Sequence, residues 1–127
     1  MCPTRLPARS AFCAALAALL LAPAAGASAT TRCPSGDLRY PFEEGGPKTF
    51  GVFKLRIDGG GCRTAHRVAK EWMERFEANL ADGRVKLPEH VRGFTFVSLP
   101  PKAAQTYRLR GRKDAKTIRF DYVVPNG

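Results

Sequence analysis

Few residues of this 127-residue chain have the type and spacing that chemistry needs. His66 and His90 are its only imidazoles, and neither has a partner at a metal-ligand spacing such as H-x3-H. Each reads as a histidine bordering a core or facing water. The chain lacks a G-x-S-x-G elbow, and the cysteine that opens its helix is expected to be oxidised rather than nucleophilic. Gly59-Gly60-Gly61 invites comparison with a phosphate loop, because helix N-terminal amides attract anions. The pattern G-x-x-x-x-G-K-S/T is missing, however, and Asp58 would repel a phosphate, so the glycines read as a tight strand-to-helix turn. Glu71, Glu74 and Glu77 are interleaved with Arg63, Arg67, Lys70 and Arg75. The four-residue spacings Arg67–Glu71, Lys70–Glu74 and Glu71–Arg75 describe ion pairs on a solvated helix rather than a desolvated catalytic acid. No metal, cofactor or enzymatic constellation is expected.

Charge is the remaining feature. The chain has 21 Lys+Arg against 11 Asp+Glu, a net +10. Between Thr106 and Arg119 stand six basic residues, Arg108, Arg110, Arg112, Lys113, Lys116 and Arg119, and a single acidic one, Asp114. If Tyr107, Leu109, Ile118 and Phe120 face the core, strand alternation puts Arg108, Arg110 and Arg119 on the opposite face. Arginine suits phosphate and carboxylate because its planar fork donates two hydrogen bonds at once. The six basic residues therefore form a candidate anion-binding patch for an anionic envelope polymer or an acidic protein. Aromatics are not interleaved on that face, which weighs against nucleic acid. The competing explanation is bland: charges on an edge hairpin discourage aggregation. An excess of Arg over Lys, with plentiful Ala, Gly and Pro, also fits a GC-rich coding sequence.

Residues 1–29 carry Arg5 and Arg9, no acid, an apolar run from Ala11 to Ala22 and then AAGASA. That is the layout of a secretory signal peptide, with cleavage after Ala27 or Ala29. The 12-residue apolar run is shorter than the roughly 20 residues of a membrane-spanning helix. Neither Cys13 nor Cys33 fits a lipid-attachment site, so a free exported product is expected, with no stable membrane span after cleavage. Removing the leader leaves 19 basic and 11 acidic side chains, a net +8, and two cysteines, Cys33 and Cys62. An even cysteine count in an exported chain favours a disulfide. Closing that loop is worth roughly 3–4 kcal/mol in the chain-entropy model.

Residues 30–48, rich in Pro, Gly and charge, read as an irregular N-terminal arm, and residues 49–127 as a single α+β domain. Thr49–Ile57 reads as a strand in which Phe53, Leu55 and Ile57 share the buried face. From Cys62 to Leu80, the residues Cys62, Ala65, Val68, Ala69, Trp72, Met73, Phe76 and Leu80 fall on one arc of a helical wheel. Gly83 follows as a left-handed cap. Residues 84–93 form a connector, Phe94–Leu99 is a short strand, and Thr106–Arg110 and Lys116–Val124 are strands joined by residues 111–115. The expected fold is α+β: one amphipathic helix packed on a small antiparallel sheet, in the order strand–helix–strand–hairpin.

The runs IDGGGCRTAHRVAKEW, VRGFTF and YRLRGRKDAKTIRF resemble small exported proteins of actinobacterial type. In those, a Cys opens a helix after a strand, a G-aromatic-x-Cys segment follows, and Cys-x-x-Gly leads into a final strand. The resemblance covers roughly residues 33–122 and implies a bacterial, secreted protein, with no activity to carry over. Cys33 and Cys62 stand where the first two family cysteines do. Phe96 and Leu109 stand near the third and fourth, as if one disulfide were kept and the other lost as a pair and replaced by apolar packing. The function expected on these grounds is non-enzymatic binding by a monomer through the basic hairpin. The alternatives are a small basic nuclease using His66 or His90, and an inhibitor contacting its target through the loop Phe94–Ala104.

Overall fold

The leader-like segment ends where a sheet begins. The computed structural model describes residues 29–100 and 103–125, so residues 1–28 of the expected signal peptide lie outside the described residues. Seven strands and one helix follow: β1 (Thr30–Arg32), β2 (Arg39–Pro41), β3 (Lys48–Asp58), α1 (Cys62–Ala81), β4 (His90–Val91), β5 (Phe94–Leu99), β6 (Thr106–Lys113) and β7 (Lys116–Val123). All strands pair antiparallel in one sheet of order β1-β3-β7-β6-β5-β4, and β2 joins β3 beside β1. The fold is α+β, with one helix on one face of an antiparallel sheet.

The helix forms where its apolar periodicity puts it and buries Ala65, Val68, Ala69, Trp72 and Phe76 against the sheet. Trp72 lies edge-on to both Phe120 and Tyr122, with ring centroids 5.4 Å away in each case, and its indole donates to the Pro88 carbonyl at 3.1 Å. That bond holds the connector under the helix and satisfies a donor that burial would otherwise leave unpaired. Gly83 takes φ 78° just past the helix, the left-handed cap its position implies. Leu80, at the end of the apolar arc, is the exception and remains exposed.

Three expectations are corrected, the irregular arm 30–48 among them, because it supplies β1 and β2 of the sheet. Phe53 is not on the buried face: a bulge between Phe53 and Arg56 inserts one residue, and Lys54 there adopts φ 57°. The extra residue changes the phase of alternation. Val52 therefore joins Leu55 and Ile57 in the core, while Phe53 turns to the outer face. The C-terminal hairpin is also tighter than the five-residue link suggested. Lys113 pairs with Lys116, leaving Asp114-Ala115 as the turn with Asp114 at φ 53°.

The Pro- and Gly-rich stretch 30–48 supplies β1 and β2, which lie end to end along the outer edge of β3. Neither has a sequence period, because three residues are too few to show one; pairing with a long neighbour fixes them. Between them the chain crosses at the bulge, where the Cys33 amide donates to the Leu55 carbonyl at 2.9 Å. Here Cys33 is bridged to Cys62, the first residue of α1, with 5.3 Å between their Cα atoms. Gly51 allows the close approach of Leu38: it has φ 109°, and a Cβ there would sit 2.2 Å from the Leu38 carbonyl oxygen. Phe96 and Leu109 are both buried, and the Phe96 ring covers the backbone of Gly111 and meets Phe120 at 5.9 Å.

Candidate functional site

With the helix on one face, the other face of the sheet is left to polar side chains. Register decides which of them meet. Arg32 of β1 is directly opposite Arg56 of β3, Arg56 is opposite Arg119 of β7, and Arg119 is opposite Arg110 of β6. Four arginines therefore form one row across four neighbouring strands, continued on β5 only by Val97. At about 4.8 Å per strand the charged part of the row is roughly 14 Å long. The next row carries Arg108, Asp121 and Phe53, and the one on the other side Arg112, Thr117 and Asp58.

The bulge widens this face. Arg32, Arg39, Lys54, Arg56, Arg108 and Asp121 line an open trough of about 500 Å³. Arg39 forms one wall. Its guanidinium lies 4.3 Å from the centre of the Phe53 ring, and it donates to the Val52 carbonyl at 2.9 Å and to the Ser35 hydroxyl at 3.2 Å. Arg56 donates across the bulge to the Lys54 carbonyl at 2.9 Å. Arg119 pairs with Asp58 at 2.9 Å, and Thr30 donates to the same carboxylate. These two bonds hold the Asp58 carboxyl below its ordinary range, the Thr30 hydroxyl bond being the larger cause. Arg110 is the least satisfied: its Nε is buried and finds no partner among the described residues.

Of the hairpin residues singled out by charge, Arg108, Arg110, Arg112 and Arg119 share this face. Lys113 and Lys116 do not join them. They belong to the helix-side alternation at the turn, where the Lys113 ammonium lies 5.9 Å from the Phe94 ring and Lys116 packs beside Gly60. The face gains Arg32, Arg39, Lys54 and Arg56, which the sequence does not connect to the hairpin because they come from strands distant along the chain.

The histidines lie elsewhere. His66 Nε2 bonds Asp37 at 2.7 Å, and that hydrogen bond holds the Asp37 carboxyl below its ordinary range. The pair sits in a shallow depression with Arg63, Arg67, Lys70 and Pro34. His90 lies on β4, its Nδ1 3.5 Å from the Thr95 hydroxyl. Of the three helix ion pairs expected from spacing, only Glu71–Arg75 forms, at 2.5 Å. Glu71 also takes Arg92 at 3.1 Å and so is turned away from Arg67. Among the described residues no group of three or more metal-ligating side chains is found, and no helix is long and apolar enough to cross a membrane. Comparisons with protein-family models, with characterised proteins and with solved structures find no match to the chain.

Proposed function

We propose that the protein binds a linear, phosphate-bearing polyanion along the outer face of its sheet, outside the cytoplasm. The observation that carries this reading is the row Arg32–Arg56–Arg119–Arg110. Like charges directly opposite one another destabilise a sheet. A row of four, with a single carboxylate shared at Arg119, supports a ligand that supplies the opposing charge. Guanidinium forks favour phosphate oxygens, which they bind in pairs. A folded acidic partner is less well supported, because protein interfaces centre on aromatic or aliphatic anchors and this row ends in the lone Val97. Nucleic acid would want exposed rings for stacking, whereas Phe53 on this face lies beneath Arg39. The Cys33–Cys62 disulfide and the leader-like composition of residues 1–29 support an exported setting.

The test is a titration with long-chain inorganic polyphosphate and, at matched charge, with poly-glutamate. Saturable binding to polyphosphate is expected, weakened about tenfold by Arg56→Gln with Arg110→Gln, as for loss of two phosphate contacts. Equal affinity for poly-glutamate would move the partner to an acidic protein, and an unchanged affinity in the double variant would remove this face.

A second reading, phosphodiester cleavage, draws on the hydrogen-bonded His66–Asp37 pair among cations. The two side chains are 33% and 67% exposed, far from the desolvated setting that tunes a general base. Binding alone leaves an RNA or polyphosphate probe intact; fragmentation abolished by His66→Ala would replace the binding reading with an enzymatic one.

A further inference from the structure

The arginine row ends at β1, but positive charge continues beyond it. Arg32 precedes Cys33, and Arg63 follows Cys62, so the disulfide places the end of the row beside the start of the helix. With 5.3 Å between the bridged Cα atoms and one peptide step on either side, the Cα atoms of Arg32 and Arg63 are at most about 13 Å apart. From there Arg63, His66, Arg67 and Lys70 recur at the i, i+3, i+4, i+7 spacing of one helix face.

Three observations set this stripe apart from an ordinary solvated helix face. Arg63, Arg67 and Lys70 are exposed and make no ion pair among the described residues. Glu71 serves Arg75 and Arg92, and Glu77 accepts a hydrogen bond from the Tyr122 hydroxyl at 2.5 Å. The stripe, with Pro34 and Asp37, lines a continuous depression. Finally, the helix begins here with neither a side-chain cap hydrogen bond nor an acidic residue in its first turn, so no side chain of that turn offsets the positive end of its dipole.

We propose that the two basic tracts are one path: a linear phosphate polymer lies across Arg110, Arg119, Arg56 and Arg32, turns over the Cys33–Cys62 edge and continues along Arg63, Arg67 and Lys70. This inference rests on the sheet-face reading and extends it to a ligand long enough to reach both faces. The helical part adds roughly 10 Å to a row of about 14 Å, with the corner between them. The disulfide then has a role besides stability, since it fixes the geometry of the corner. Asp37 is the single carboxylate lining the helical tract, and it weakens binding there.

The experiment compares inorganic polyphosphate averaging several tens of phosphates with tripolyphosphate, which is too short to occupy both tracts. The helix variant is Arg63→Gln with Arg67→Gln and Lys70→Gln, and the sheet variant is Arg56→Gln with Arg110→Gln. A charge-matched control is Lys48→Gln with Arg84→Gln and Lys86→Gln, all exposed and off the path. Circular dichroism confirms that each remains folded. The helix variant is expected to weaken the long polymer about tenfold or more and tripolyphosphate by less than about twofold, with the control near wild type for both. Asp37→Asn is expected to tighten the long polymer. If the helix variant binds the long polymer like wild type while the sheet variant does not, the path ends at β1 and the extension is overturned with the sheet reading intact. If the sheet variant also binds like wild type, both fall. A control as weak as the helix variant would reduce the effect to net charge and overturn the path.

Discussion

Arg110 stands between Arg119 and Val97 with a buried Nε that bonds nothing among the described residues. Both its like-charged neighbour and its unsatisfied donor oppose folding. Arg110→Thr, which places a good strand former there, is therefore expected to raise stability by roughly 0.2–1 kcal/mol while weakening polyphosphate binding. Urea denaturation and titration of the same variant check the two opposite effects; a loss of stability would mean that Arg110 is there for the fold. Asp58 behaves in the contrary sense. Bonds from Thr30 and Arg119 lower its folded pKa below the unfolded value, so its contribution is complete above about pH 4 and is lost as pH falls through the folded value. Asp37 follows the same sign through His66. Asp58→Asn is expected to flatten the acid limb of a stability–pH curve, and an unchanged limb would place acid lability elsewhere.

Secondary-structure elements decide which of these residues meet. Gly51→Ala would drive a Cβ against Leu38 at a positive φ, and a loss of more than about 1 kcal/mol is expected in thermal or urea unfolding. Reducing Cys33–Cys62 frees β1 and the crossing at the bulge, with an expected loss of roughly 3–4 kcal/mol; a transition unmoved by reductant would contradict that role. The helix was legible because Ala65 to Phe76 repeat at a period that depends only on local geometry. The outward direction of Arg108, Arg110 and Arg119 was legible for the same reason, from alternation within one hairpin. The arginine row was not. It needs the pairing of Arg32 with Arg56 and of Arg56 with Arg119, strands remote in sequence, and a bulge at Lys54 that no pattern of residue types announces. Proximity along the chain groups Lys113 and Lys116 with the patch, whereas a two-residue turn sends both toward the helix side.

At the scale of the molecule, a net charge of +10 is not spread evenly. The sheet packs its apolar face under α1 and leaves the opposite face to arginine, and the disulfide brings that face to the basic start of the helix. The proposed binding would release counterions from the polyanion, so its affinity is expected to fall steeply with salt. The most direct measurement is the slope of log affinity against log salt for long-chain polyphosphate, in wild type and in Arg32→Gln with Arg56→Gln and Arg110→Gln. Removing three phosphate contacts is expected to make the slope shallower by about 2, at roughly 0.7 per contact on a single-stranded polyanion. A triple variant with the wild-type slope would contradict the account, because the row would then carry none of the binding.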